Sequence, residues 1–310
     1  MATNKQIRDR IKKLKQDYDR HKVGKDSLLS LMDEAEIPEA VYNSNAIENS
    51  TLTLKDTEKI LLDMVVSKDY SVREVFEAKN LARVTDYIRG KAQNGDPTKE
   101  TILLLHQMLI GAIDDSIAGR FRKTGEYVRV GTHIAPAPEH VERMIESALA
   151  EYTSNHEAYA PDKIAKFHLD FEHAHPFCDG NGRIGRVLIN WQFIRLGFPP
   201  IIIRDKEKSD YYAAFGAYKD AKRTQRMEKV LTLALTESLH KRLAYLRGEG
   251  IIRLSDYAKR SLKSAAALTN AARRQTIPAF REKGVWKIGV AYKKDETSWE
   301  MGSGVAYAKA

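Results

Sequence analysis

His175-Pro176-Phe177-Cys178-Asp179-Gly180-Asn181-Gly182-Arg183-Ile184-Gly185-Arg186 gathers in one short stretch the groups that a phosphoryl-type transfer needs. Gly180 and Gly182 permit backbone torsions closed to other residues, so successive amides can curl into a concave donor site for a phosphate. The helix expected to start at Arg183 adds a field that favours the anion. Arg183 and Arg186, three residues apart, can point from one helix face toward a single ligand, and their planar forks suit phosphate oxygens. Asp179 sets a hard carboxylate beside the anion, as a Mg²⁺ bridging nucleotide phosphates requires. His175 is the proton acceptor matched to neutral pH.

Two helices must hold this loop, and the sequence provides them over Lys163 to Ala174 and Arg183 to Leu196. From Lys5 to Tyr245 apolar residues recur at three and four, as in Ile60-Leu61-Met64-Val65 and Leu103-Leu104-Met108-Leu109-Ile110, which predicts a mainly α fold. The main exception, Glu126 to Ile134, is β-prone and precedes Ala135-Pro136-Ala137-Pro138, so a short β-hairpin is expected between helices. Asn94-Gly95-Asp96-Pro97-Thr98 is a turn cluster that ends in helix-start residues, and Gly248-Glu249-Gly250 is a second break. They divide the chain into an N-terminal helical region (1–95), a central catalytic block (96–248) and a small basic unit (249–310). The last shows two helical runs followed by Ile277-Pro278-Ala279-Phe280 and Val285-Trp286-Lys287-Ile288, the layout of a winged helix-turn-helix.

The loop matches the Fic-family pattern H-x-F-x-[DE]-G-N-G-R-x-x-R at every defined position, so the chain resembles the Fic protein adenylyltransferases. That resemblance implies a Fic-type helical bundle with a short hairpin flap. It implies transfer of AMP from ATP, with Mg²⁺, to a Tyr, Ser or Thr hydroxyl of a target protein. His175 would be the base and Asp179 the metal ligand. Phe177, Gly180, Asn181, Gly182, Arg183 and Arg186 would bind the nucleotide, with Arg186 on the γ-phosphate and Phe177 packed inward to fix the loop. Asn190, Tyr211 and Tyr212 resemble nucleoside contacts. Gly119-Arg120-Phe121-Arg122 is similar to the element before the family's flap, which would run from Gly125 to Ile134. Val130, Gly131, Thr132 and His133 would then offer a strand edge to the target.

Ser44-x-x-x-Glu48-Asn49 resembles the family's inhibitory motif [ST]-x-x-x-E-[GN]. By that resemblance Ser44, Glu48 and Asn49 form an N-terminal brake, in which the Glu48 carboxylate takes Arg186 from the γ-phosphate.

Composition narrows the alternatives. No apolar run approaches the length of a membrane span, no signal-peptide core follows the basic start, and Cys178 is the single cysteine, so no intrachain disulfide framework or cysteine-built zinc site is expected. These features point to the cytoplasm. The net charge of +9 is lopsided, with residues 241–294 rich in Lys and Arg against Glu249, Asp256 and Glu282. DNA binding through residues 249–310 is one reading of that excess, and a basic protein-interaction module is another. Since the matched catalytic residues lie before it, this unit is expected to be dispensable for AMP transfer. Three further readings stay open at this point: a cysteine hydrolase using Cys178, a DNA-binding regulator with an accessory Fic domain, and a de-AMPylating enzyme. A homodimer is also compatible with the sequence.

Overall fold

The structure, a computed structural model, describes residues 3–130 and 133–290, with the backbone alone for Val130 and His133. Its framework is helical: the three-and-four spacing gives segments such as Lys5–Lys22, Pro138–Ser154 and Ala160–Ala174 one apolar face, while Asn181–Arg195 and Gln225–Leu246 are buried on several sides. Helix α1 (Lys5–Lys22) leads to α2 (Asp26–Ile47), then to the short α3 (Leu54–Glu58), which continues into a π-helical turn (Lys59–Asp63). Next come α4 (Val72–Lys91), α5 (Lys99–Ile110), the two-residue strands β1 (Arg129–Val130) and β2 (His133–Ile134), α6 (Pro138–Ser154) and α7 (Ala160–Ala174). The central block closes with α8 (Asn181–Arg195), α9 (Lys208–Ala221) and α10 (Gln225–Leu246).

Helix starts follow local chemistry. The hydroxyls of Thr53, Ser71 and Thr98 accept from the amides of Asp56, Glu74 and Thr101 and so cap α3, α4 and α5, each cap being worth ~1 kcal/mol. Helix α8 lies in the centre, with Ile184, Leu188, Ile189 and Phe193 all buried. One core runs from Ile11 to Leu246 and takes Val41 and Ile47 from α2, Leu81 and Ile88 from α4 and Leu105 and Leu109 from α5 without a break near residue 95. The expected boundary at 95/96 is therefore not a boundary of packing.

The C-terminal unit has its own small core around Leu254, Leu268, Ala272 and Ile288. It consists of β3 (Ile251–Arg253), α11 (Leu254–Ser261), α12 (Ala265–Arg273), β4 (Ala279–Glu282) and β5 (Val285–Gly289). Its strands form one antiparallel sheet in the order β3-β5-β4, with Ile252 opposite Ile288 and Trp286 opposite Arg281. Buried ion pairs fasten this unit to the helices. Arg281 pairs with Glu237 of α10 at 2.6 Å, Arg204 reaches both Glu237 (2.9 Å) and Glu39 of α2 (2.5 Å), and Glu39 accepts the amides of Lys283 (3.0 Å) and Gly284 (3.1 Å) at the β4–β5 turn. Among the described residues no helix is long and apolar enough to cross a membrane.

Candidate active site

Helix α7 ends at His175, whose φ of 47° puts a non-glycine residue in the left-handed region. Such strain persists only where the surroundings over-determine it. Arg122 supplies much of that constraint. Its guanidinium donates to the carbonyls of His175 (2.8 Å), Ala174 (3.2 Å), Pro136 (2.8 Å) and Glu126 (3.0 Å), and its amide donates to Pro176 (2.9 Å). One buried arginine thus ties the end of α7 to both sides of the hairpin.

The rest of the loop is fixed from beneath. Phe177 is fully buried and stacks on His106 at 3.7 Å, and His106 Nε2 bonds the Asp179 carbonyl at 3.0 Å. Burial pushes His106 down to about 4, so the ring is neutral. Asn181 closes the turn on itself, accepting from the Phe177 amide at 2.9 Å and donating to the Phe177 carbonyl at 2.8 Å. Gly180 takes φ of 80° as the residue before α8, a torsion that a side chain would strain. Gly182 lies inside α8, contrary to the expectation that it supplies a special torsion; it supplies space, since a Cβ there would come 2.2 Å from Glu48 Oε1.

Charged groups meet above the loop. Arg183 is buried and bridges Asp179 (3.0 Å) and Glu77 of α4 (3.0 Å), while Arg73 pairs with the second Asp179 oxygen. Burial opposes ionisation of Asp179, but Arg183 and Arg73 outweigh it and hold the carboxyl below its usual range. Arg186 is engaged chiefly by the end of α2. It donates to Ser44 Oγ (2.9 Å), the Ser44 carbonyl (2.8 Å) and Glu48 Oε1 (2.8 Å), and its remaining nitrogen is 3.4 Å from Tyr211 Oη. Ser44 is in the last turn of α2 and Glu48 is its C-cap, so the motif ends a long helix. Asn49 follows with φ of 67° on the cavity wall.

His175, Asp179, Arg183, Arg186, Glu48 and Tyr212 all line one cavity of about 1140 Å³, roomy enough for a nucleoside triphosphate. Tyr211 is buried, with its hydroxyl 2.8 Å from His168 Nε2, and Tyr212 is half-exposed and donates to the Ile47 carbonyl at 2.9 Å. Three expectations need correction. Phe177, named among the nucleotide contacts, has no surface to offer a nucleotide; it packs inward beneath the loop, the other part expected of it. The Asn181 side chain is likewise committed to the turn. Asn190 lies outside the cavity and is spent on both backbone groups of Ile201, at 2.8 and 3.1 Å. Of the flap residues, the backbones of Val130 and His133 pair in the β1–β2 ladder, whereas Gly131 and Thr132 lie outside the described residues. Cys178 fits no nucleophile's role: burial and then the nearby Glu126 carboxylate push its thiol up.

Sequence reading missed Arg73, Glu77 and Glu172. An acidic or basic residue in a helix reads as solvated, and only the fold brings these three to the loop. Glu172 alone left a signal, since it continues the apolar stripe Ile164, His168, Phe171 toward His175.

Comparison with known proteins gives this arrangement its class. Residues 96–193 match the Fic/DOC family, and the chain carries a Fic domain. Over 177 residues it is 34% identical to the protein adenylyltransferase Fic of Nematostella vectensis, an alignment covering 56% of this chain and 41% of that one, so the chain spans under half the length of that relative. A Fic-domain-containing signaling protein of Bacteroides thetaiotaomicron superposes with a TM-score of 0.71 at 24% identity, over 77% of this chain and 97% of that one. A fragment of Fic-1 from C. elegans gives 0.68 at 23% identity, over 77% and 70%. The fold is that of Fic-domain proteins.

Proposed function

We propose that this chain moves AMP from ATP to a Tyr, Ser or Thr hydroxyl of a target protein and releases pyrophosphate, and that Glu48 restrains it. The observation that carries the proposal is the convergence of His175, Asp179, Arg183 and Arg186 on one cavity, with the end of α2 seated on Arg186. The chemistry follows from where these groups point. The first-turn amides of α8 have no partners within their helix and suit a phosphate. Arg183 is already oriented by Asp179 and Glu77, so it can hold phosphate oxygens with little loss of freedom. His175, held at the cavity edge by Arg122, takes the proton of the target hydroxyl as the oxygen attacks the α-phosphate in line with departing pyrophosphate. Base catalysis of this kind contributes ~10²- to 10⁴-fold, and positioning adds more.

Mg²⁺ fits the donor set through Asp179 alone. Among the described residues no cluster of three or more His, Cys, Asp or Glu could hold a metal, and a nucleotide-borne Mg²⁺ needs only one or two protein carboxylates. Arg73 would have to yield its Asp179 oxygen. When bound, the ion would neutralise phosphate charge. The β1–β2 edge suits a target segment added as a strand. Arg186 suits the γ-phosphate, and the Glu48 carboxylate beside Gly182 competes for the same guanidinium.

Incubation with isotopically labelled ATP and Mg²⁺ followed by mass spectrometry tests this reading. An added AMP on the chain or on a protein from its source is expected. Absence of any AMP adduct with the Glu48→Gly variant, under conditions where ATP binds, would refute it.

A further inference from the structure

Glu172 lies in the last turn of α7, three residues before His175, and the transfer derived above gives it no task. Its carboxyl is enclosed: Oε2 is 4.0 Å from His175 Nδ1, and Oε1 is buried without a hydrogen-bond partner. Gly185 of α8 keeps this space open, because a Cβ there would come 2.5 Å from Glu172 Oε1 and 2.9 Å from His168 Nδ1. Burying an unpartnered carboxyl is costly, and costs of this kind collect at functional sites.

The titratable groups facing Glu172 come from every neighbouring element: His168 and His175 on α7, Arg186 on α8, Tyr211 and Tyr212 on α9, and Glu48 at the end of α2. Tyr211 links this group onward, since its hydroxyl meets both His168 and Arg186. Glu172 thus places a buried carboxyl 4.0 Å from the Nδ1 atom of His175.

We propose that Glu172 is a positioning residue for the transfer: once Glu48 has left, its carboxylate steadies His175 from the Nδ1 side and stabilises the imidazolium that forms. This rests on the reading of His175 as the base. In the step, the target O–H bond breaks and its proton passes to His175 Nε2. The oxygen forms the new bond to the α-phosphorus, and the old P–O electron pair leaves with pyrophosphate. Glu172 neither gains nor loses a proton and acts through its field. Burial, and after it the Glu48 charge, push the carboxyl up to about 8 against the pull of Arg186. With Glu48 in place the group is therefore mostly neutral near pH ~7 and gives His175 little support.

The test uses the full chain with Glu48→Gly as parent and adds the near-isosteric Glu172→Gln. The expected result is a kcat at least ~10-fold lower, an ATP KM close to the parent's, and an acid limb of the kcat profile moved to lower pH, because the ring is harder to protonate without the charge beside it. Thermal stability above neutral pH should rise, since an unpaired buried carboxylate is removed. Unchanged kcat and acid limb would overturn the proposal, and so would a fall in kcat accompanied by lower stability and a raised KM, the mark of a merely structural residue. His175→Ala in the same parent separates the two readings. If it still transfers AMP, the base assignment fails; if it is dead while Glu172→Gln equals the parent, only the role of Glu172 fails.

Discussion

Replacing Glu48 by glycine should raise AMP transfer, and the contacts fix how much. Glu48 offers Arg186 one charge-assisted hydrogen bond of 2.8 Å, while the arginine is buried and the carboxylate is 38% exposed. Hydrogen bonds to charged groups contribute ~1.5–3 kcal/mol when shielded, and exposed ion pairs under ~1. A pair with one partner shielded falls between, at about 1.5 kcal/mol. Glycine also removes the carboxylate from beside Gly182, where Oε1 leaves no room even for a Cβ. Ser44 keeps its two bonds to Arg186, so the side chain stays aimed at the cavity and a γ-phosphate inherits a positioned partner. The minimum gain is then ~10-fold in rate. Glu48→Gln, which keeps the size but loses the charge, should fall between wild type and glycine. Initial rates of self- or target-adenylylation for wild type, Glu48→Gly and Glu48→Gly with Arg186→Ala decide the matter. The third variant should lose the gain. Equal rates for the first two would mean that Glu48 is no brake, and a double variant as fast as Glu48→Gly would mean that the released arginine has no part in the transfer.

Arg122→Ala should leave four carbonyls around His175 and the hairpin without their donor and cost ~3 kcal/mol or more; a urea midpoint equal to that of wild type would contradict this. Mild acid should destabilise the chain: burial holds His106 at about 4, His168 at about 3 and His240 at about 4. These values lie below the unfolded value of ~6.5, so the stability of the neutral rings is complete above that pH and is lost as pH falls through the window, by ~2 kcal/mol per ring at pH ~5. Urea titrations across that range read the slope, and a flat profile would refute the assignment. Ending the chain at Gly248 removes Arg281 from Glu237 and two amide donors from Glu39. The expected loss is about 3 kcal/mol, so a truncated chain should transfer AMP only while it stays folded, and an unchanged melting temperature would sink this point.

What was legible in the sequence was what one contiguous stretch encodes. The 175–186 loop declares itself because its torsions, caps and donors are local, and Ser44 and Glu48 because they are one helical turn apart. Side-chain direction is a tertiary property and was not legible. Asn190 sits one turn beyond Arg186 on the same face of α8, but ~6 Å farther along the axis, where the segment at Ile201 has replaced the cavity wall. Arg73 and Glu77 were hidden because nothing in α4 says that it will cross the loop. The glycines of α8 show the limit most clearly. In the sequence Gly182 reads as a turn residue and Gly185 draws no reading, yet each makes room for a carboxylate, Gly182 for Glu48 and Gly185 for Glu172. Both lie one turn or less from Arg186, so a single guanidinium faces two acids whose charges oppose each other.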